Sequence, residues 1–417
     1  MEQLQVKNFL VIKSANFNIG RINIIIGPQA NGKSILVKLL YFFRETISEL
    51  FLISVKNNEV QKEFLKRIEI SFEKYFPKYT WKDNKIEITY IRDNIEIKIF
   101  KTETQRKIQI ELSDYTKGQF KSLKSQYKKF MKQQKAKKDE QYIFDDFWEF
   151  KFQYIHKNEE LSKYFSDSTF IPASRTFFAT LQKNIFSFLA ENIDIDPFMK
   201  EFGSKYESIK QLYSRENFYE DIMSENIYGK QINFIVENIL NGKYEYQDKQ
   251  DWIKSKNGTI NLAHASSGQQ ESLPMLLILS VFPFFRDNRN SMYFIEEPEA
   301  HLFPISQKHL VSLFGLMYNH NQDTVITTHS PYILTALNNL LLAYDVKEEK
   351  GEEALKGIVD KEFCINFDDI QAYTIEKGKL ISIMDKEERL IGMNIIDSVS
   401  DEFSNTFDTL LSMQDYQ

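Results

Sequence analysis

Hydrophobic and polar positions alternate from the start of the chain. Leu4, Val6 and Asn8 mark a first strand, and Phe9 to Phe17 reads as a turn and a second strand. Ile22 to Ile26 is an apolar run broken by Asn23, and Ile35 to Phe43 follows with helical spacing. Ile86–Ile88–Tyr90 and Ile95–Ile97–Ile99 alternate on either side of Arg92-Asp93-Asn94, and Ile108–Ile110 adds a third run. Together they predict an antiparallel meander. The stretch before it is mostly helical and rich in aromatic residues. Ser168 to Ala173 predicts a short buried strand. From Arg175 to about Phe285 the pattern is helical, apart from a hairpin around Tyr244 to Leu262. Further on, Ala372–Ile375 and Leu380–Ile383 flank a Lys377-Gly378-Lys379 turn, and Phe403 to Met413 predicts an amphipathic helix. The charged stretch Lys347 to Gly357 is expected to be an exposed loop. The pattern predicts an α/β fold in four parts: 1–111, 112–166, 167–288 and 289–417. No internal repeat is visible.

Composition narrows this picture. A chain of 417 residues can build two or three lobes with cores of their own, and 42% hydrophobic content is ordinary for a globular protein. One cysteine, Cys364, excludes an intramolecular disulfide and fits a reducing cytoplasm. The opening MEQLQVKNFL lacks the features of a signal peptide. Leu273 to Phe285 is too short to span a membrane and contains Pro274 and Pro283, so a buried helix is expected there. Net charge is −6, so any contact with nucleic acid must come from a local patch. The candidate patch runs from Tyr115 to Lys138, without an acidic residue and rich in lysine, with Leu123, Tyr127, Phe130 and Met131 at helical spacing. Two readings apply: a phosphate-backbone contact, or a solvated helix face balanced by the acidic run Asp139 to Glu149. The second carries more weight.

The chemistry concentrates in four segments. Gly27-Pro28-Gln29-Ala30-Asn31-Gly32-Lys33-Ser34 is G-x-x-x-x-G-K-S between a strand and a helix. Its glycines let backbone N–H groups turn toward phosphate, Lys33 adds a point charge, and Ser34 offers a hydroxyl to Mg²⁺. This points to a nucleoside triphosphate. Met292 to Leu302 (MYFIEEPEAHL) places Glu296 and Glu297 at the carboxyl end of an apolar strand. Neighbouring carboxylates on a strand face opposite ways, so Glu296 is expected to support the metal and Glu297 to orient an attacking water. Thr324 to Leu334 (TVITTHSPYIL) brings His329 to a strand-to-helix switch, with Ser330 as N-cap and Pro331 in the first turn; His329 is the candidate γ-phosphate sensor. His301 is a weaker candidate for the nucleotide edge. Ala265 to Glu271 (ASSGQQE) opens a helix with Ser267, Gly268 and Gln269, an anion-binding cap that by itself describes any capped helix.

In this order the four segments closely resemble the ABC-type ATPase heads of the SMC and OLD-like ATPase families. The resemblance covers nearly the whole chain except the lysine-rich insertion. It implies a P-loop ABC-type head with an antiparallel β subdomain and a helical signature lobe. ATP and Mg²⁺ are the implied ligands. Ser267, Gly268 and Gln269 then act as the signature that closes the P-loop of a second subunit in a head-to-tail dimer. SMC-type heads usually carry Asp where this chain has Glu296; Glu-Glu is the OLD-like form. No Q-loop glutamine is evident. Ile171-Pro172-Ala173-Ser174-Arg175 stands in that place and is similar to an I-P-A-x-R segment of the OLD-like branch. Arg175 is thus either a residue coupling nucleotide to helical lobe or an ordinary surface salt bridge. Asp194-Ile195-Asp196 reads as a loop, and no HNH pattern or Cys/His site appears. The expectation is an ATPase head without its own nuclease, resembling the ATPase subunits of anti-phage defence pairs. Their effectors are a Toprim-like nuclease (PARIS type) or an HNH nuclease (Septu type), with DNA or a phage protein as trigger. A DNA repair ATPase of the RecF/SMC kind and an ATP-locked scaffold with little turnover are the rivals; a transporter subunit is least favoured.

Overall fold

The computed structural model describes residues 1–82, 84–136, 146–181, 195–213, 227–284, 291–392 and 394–413. In the first third, strands β1 (Glu2–Phe9), β2 (Ile12–Ile19) and β3 (Ile22–Ile26) lead into helices α1 (Lys33–Tyr41), α2 (Ile47–Lys56) and α3 (Gln61–Tyr75). The meander β4 (Ile86–Arg92), β5 (Ile95–Lys101) and β6 (Gln109–Leu112) follows. Next come α4 (Asp114–Ala136), α5 (Asp146–Lys151), α6 (Glu159–Tyr164) and β7 (Ser168–Ile171). The middle holds α7 (Thr176–Leu181), α8 (Pro197–Tyr213), α9 (Gly229–Leu240), the small antiparallel sheet β8 (Lys243–Gln247), β9 (Gln250–Ser255) and β10 (Gly258–Asn261), and α10 (Ser267–Val281). The last part contains β11 (Met292–Glu296), α11 (Pro304–Asn319), β12 (Asp323–Thr328), α12 (Pro331–Lys350), β13 (Ile370–Glu376) and β14 (Lys379–Ser382). A short pair, β15 (Met384–Asp385) with β16 (Leu390–Ile391), precedes α13 (Asn394–Ser412).

One sheet of mixed direction organises this α/β chain, in the order β6-β5-β4-β1-β2-β14-β13-β3-β12-β11-β7. Strands β6 to β2 are antiparallel, β14 joins them by a parallel pairing to β2 and an antiparallel one to β13, and the strands from β13 to β7 are parallel. The two halves differ in sequence for a physical reason. Strands of the parallel half are covered on both faces, so β3 and β11 are buried at every position instead of alternating. Asn23 is the exception that interrupts the apolar run of β3, and it is fully satisfied. Its amide nitrogen donates to the Gly20 and Thr324 carbonyls, and its oxygen accepts from the Gly20 N–H. A polar residue is tolerated there because it leaves no group unpaired.

Two hydrophobic cores line the two faces of the sheet. The first is dominated by aromatic residues from α1 to α6, among them Phe42, Phe51, Phe64, Phe72 and Trp81. Helix α4 belongs to this core through Phe120, Leu123, Tyr127 and Phe130. Phe120 stacks on Phe64 at 5.2 Å between ring centroids, and Tyr127 meets Phe150 at 4.9 Å. Lys121, Lys128, Lys129 and Lys132 lie on its exposed side, while the Lys124 ammonium donates to the Glu59 carbonyl. Lys137, Lys138 and most of the acidic run after them lie outside the described residues. The second core is aliphatic and holds α10, which is buried at every position from Glu271 to Val281. Among the described residues no helix is long and apolar enough to cross a membrane. One expectation fails: Lys347 to Gly357 is not a loop throughout. Helix α12 continues to Lys350, Gly351 caps it with positive φ, and Glu352–Leu355 forms a 3-10 turn. A charged helix end facing solvent has the composition of a loop.

Between α1 and α2 the helix widens into a π-helical segment, Phe42–Thr46. It places Arg44 in the interior, where the guanidinium donates to Glu2 at 2.9 Å. Glu45 accepts from the Ser168 N–H at 2.9 Å, tying this segment to β7. Burial pushes Glu45 up to about 7 despite the nearby Lys205 ammonium. A raised carboxyl binds its proton more tightly in the folded state than in the unfolded one. Its contribution to stability is therefore lost as pH rises from 4.5 toward 7. Glu45→Gln keeps the acceptor and removes the titration. The variant is expected to match the parent below pH 4.5 and to exceed its unfolding free energy at pH 8 by roughly 1–3 kcal/mol, as urea titrations at both pH values would read.

Candidate active site

Strands β3, β11 and β12 end side by side, and the candidate residues sit at their carboxyl edge. The loop after β3 departs from ordinary backbone at three places: Gly27 (φ 146°), Ala30 (φ 60°) and Gly32 (φ 98°). Gly32 is the position where no side chain fits. A Cβ there would approach Ile12 Cδ1 to 2.5 Å and Val11 Cγ2 to 2.9 Å, in a conformation that L residues rarely adopt. Pro28, Gln29 and Ala30 are exposed, and the Asn31 amide donates to the Ile375 carbonyl at 3.3 Å. The Gly32 carbonyl accepts the first N–H groups of α1 from Ile35 and Leu36.

Lys33 reaches back over this loop. Its ammonium donates to the Gly27 and Pro28 carbonyls at 2.6 and 2.8 Å and lies 3.2 Å from His329 Nε2. Burial lowers its pKa, opposed by the charges of Glu297 and Glu299. The same imidazole nitrogen lies 3.2 Å from Glu297 Oε1. Lys33, His329 and Glu297 thus meet in one polar chain across the strand ends, in which Nε2 accepts from Lys33 in one tautomer or donates to Glu297 in the other.

The two acids of β11 have different settings. Glu296 is 5% exposed and its Oε1 has no partner among the described residues. Burial raises its pKa, with Lys38, the Ser34 hydroxyl and the Ala173 N–H pulling it back. An orphaned, buried carboxylate oxygen beside a P-loop hydroxyl suits a hard divalent cation such as Mg²⁺, so Ser34 and Glu296 fit the metal. Glu297 has a side chain 36% exposed. Strand alternation is not what separates the two. β11 ends at Glu296, and Glu297 has left the strand with φ 44°, its N–H donating to the Thr327 carbonyl.

Arg175 explains how that turn is held. It has no exposed surface, which rules out the surface salt bridge. Its guanidinium donates to the carbonyls of Pro172, Glu271, Glu296 and Glu297 at 2.8–3.1 Å, and pairs with the Glu271 carboxylate at 3.2 Å. Glu271 also accepts from the Arg175 and Thr176 N–H groups. Burial alone would raise Glu271, yet Arg175 and these bonds hold it below the usual carboxylate range. Arg175 is therefore a buried clamp with no surface in water, and it ties the loop after β7 and α10 to the end of β11.

The S-S-G-Q segment opens α10. Ser266 is the N-cap of α10, and the Gln269 side chain completes a capping box with it while donating to the Leu240 carbonyl at 2.7 Å. Gln269 is thus engaged within its own lobe. Ser267 is exposed, and Gly268 packs so closely that a Cβ would meet the His301 carbonyl oxygen at 2.8 Å. Among the described residues no hydrogen bond or ion pair joins Ser267, Gly268 or Gln269 to the P-loop. The His301 side chain is exposed, and its backbone φ is 59°. Asp194 lies outside the described residues; Asp196 caps α8 through the Phe198 N–H and meets Lys38 at 3.2 Å.

Two residues that the sequence does not single out complete the site: Glu271, behind Arg175, and Glu299. Glu299 Oε1 accepts from the Thr328 hydroxyl and from the His329 N–H, both at 2.7 Å. Both glutamates lie inside segments already marked by their motifs. A carboxylate beside a motif is the only signal they offer.

These features define the class as a P-loop protein whose parallel strands carry acidic and histidine switch residues at one edge. The sequence profile of the AAA ATPase domain family (AAA_15) matches residues 1–334, and the chain belongs to that family. Among solved structures the chain is similar to an SMC head domain from Thermotoga maritima, with 10% identity over 91% of this chain and 97% of that one, TM-score 0.36. It is also similar to an Smc head domain with an extended coiled coil, bound to the C-terminal domain of ScpA and derived from Pyrococcus furiosus. There the identity is 11% over 96% of this chain and 100% of that one, TM-score 0.38. No curated protein matches the chain in sequence.

The Arg175 clamp gives a direct test. Arg175→Ala leaves the buried Glu271 carboxylate without its countercharge and four carbonyls without the guanidinium donor, so a loss of roughly 3–5 kcal/mol is expected. Arg175→Lys should recover only part of it, because a point charge cannot reproduce the planar fork. Thermal and urea unfolding of both variants checks the ranking.

Proposed function

We propose that the chain binds ATP with Mg²⁺ at the P-loop, hydrolyses it slowly, and works as a dimer or higher assembly of heads. In that assembly Ser267 and Gly268 of one copy close the nucleotide site of the next. We further propose that this cycle controls a separately encoded nuclease, Toprim-like or HNH, in anti-phage defence in the cytoplasm, with DNA or a phage protein as trigger. Membership of an ATPase domain family supports the first part. The observation that carries the catalytic reading is the polar chain Lys33–His329–Glu297, linked at 3.2 Å on each side of one imidazole nitrogen. The defence reading rests on the resemblance of Glu296-Glu297 and Ile171-Pro172-Ala173-Ser174-Arg175 to the OLD-like form.

Each residue has a definite task in this proposal. Backbone N–H groups of residues 29–34, with the positive end of α1, bind the phosphates. Lys33 places its charge against the transferred group. Ser34 and Glu296 would hold Mg²⁺, which would supply positive charge against the phosphate oxygens. Glu297 accepts a hydrogen bond from the attacking water and directs it in line. His329, set between Glu297 and Lys33, meets the γ-phosphate and reports its presence to α12 through Ser330 and Pro331. In the nucleotide-bound form a second copy supplies Ser267 and Gly268, since among the described residues no bond within one chain brings either to the P-loop.

Exposure of Lys121, Lys128, Lys129 and Lys132 on one helix favours a second reading, a DNA repair ATPase of the RecF/SMC kind. In that case turnover rises with added DNA, and changing these four lysines to glutamate abolishes the rise.

Glu297→Gln is expected to lower ATP turnover by a factor of about 10²–10⁴ while leaving ATP binding nearly intact. The variant should also accumulate as an ATP-dependent dimer, read by light scattering. Parent-like turnover in Glu297→Gln would show that the catalytic assignment is wrong. Purification of the ATP-trapped variant from its host, followed by mass spectrometry, tests the effector: a co-purifying nuclease supports the defence reading, and repair proteins support the second one.

A further inference from the structure

We infer that Glu299 is a positioning residue, one that sets His329 in place for hydrolysis; this rests on the reading of Glu297 and His329 given above. The turn after β11 and the turn after β12 lie side by side, and each carries one half of the polar chain. Glu299 is the side chain of the first turn that grips the second. Its Oε1 takes two hydrogen bonds, one from the buried Thr328 hydroxyl and one from the backbone N–H of His329 itself, each 2.7 Å long. The Thr328 hydroxyl accepts in turn from the Ser330 N–H at 3.0 Å. Three consecutive residues, Thr328 to Ser330, are thereby referred to one carboxylate.

The geometry gives that grip a consequence at the imidazole. His329 Nε2 lies 3.2 Å from both Glu297 Oε1 and Lys33 Nζ, so a small rotation of its backbone would break one contact or the other. Glu299 sits on the same short turn as Glu297. The Ala300 N–H donates to the Glu297 carbonyl and the Leu302 N–H to the Glu299 carbonyl, and positive φ at Glu297 and His301 bounds the turn on both sides. The carboxylate of Glu297 and the ring of His329 are in this way held to one rigid piece of backbone. Glu299 Oε2 is buried with no partner among the described residues, so the glutamate is retained at a cost in solvation.

The test compares Glu299→Ala, Glu299→Gln and Glu297→Gln in the full chain. Three quantities are measured: ATP turnover, affinity for a non-hydrolysable ATP analogue, and amide hydrogen exchange of peptides covering 327–332 without nucleotide. Glu299→Ala is expected to lose about 10- to 100-fold in turnover with affinity changed less than about threefold. Its His329 amide should exchange at least about tenfold faster. Glu299→Gln, whose amide oxygen can accept both bonds, should stay within about threefold of the parent in all three. Should Glu299→Ala fail to fold, Glu299→Asp keeps the charge but falls short of both donors and serves the same comparison. Unchanged exchange at His329, or parent-like turnover in Glu299→Ala beside an inactive Glu297→Gln, overturns this inference and leaves the hydrolysis reading standing. Parent-like turnover in Glu297→Gln overturns both.

Discussion

A guanidinium with no surface in water organises the acidic edge of this protein. Arg175 gathers carbonyls from the loop after β7, from α10 and from the turn after β11. Those three segments belong to different parts of the chain and share no other common partner among the bonds described above. Burying a charge is expensive, and it is sustained here because every direction of the fork ends on an acceptor and Glu271 balances the charge. The left-handed turn at Glu297 depends on it, since its carbonyl is one of the four. The helical lobe is attached to the nucleotide edge by the same side chain.

Around that clamp the sheet divides labour. Its antiparallel half is stiffened by interlocking aromatic rings, in which Phe42, Phe72 and Phe76 meet one another at 5.0–5.8 Å. The parallel half carries chemistry, because parallel strands bring several loop beginnings to one edge. The contact between Gly268 and the His301 carbonyl joins the signature helix directly to the end of the acidic turn. Backbone lies against backbone there, with no side chain between to absorb a displacement.

Legibility in the sequence followed the range of the forces involved. The P-loop, the capped helix at Ser330 and the buried helix α10 were readable because their causes lie within a few residues. The parallel strands were readable as apolar runs. Glu271 and Glu299 were not assigned, since their partners lie 96 and 29 residues away in the chain. Glu297 was placed on the strand because its neighbours form one; the bonds from Arg175 and to Thr327, both distant in sequence, turn it out. The Gln269 bond to the Leu240 carbonyl, 29 residues away in the chain, is likewise not legible, although its capping box with Ser266 is local. The charged end of α12 reads as a loop because composition reports exposure more directly than it reports backbone conformation.

The place of β3 in the sheet bears on how the protein comes into being. Both neighbours of the P-loop strand, β12 (Asp323–Thr328) and β13 (Ile370–Glu376), arrive from the far part of the chain. On the ribosome the phosphate loop is made early, yet its strand stays unpaired until some 300 residues more have emerged, counting by the register of Ile22 with Thr324. Such long-range pairing is slow and leaves strand edges open in the meantime. The phosphate loop therefore reaches its final setting late in the life of the nascent chain, after β12 and β13 have been made.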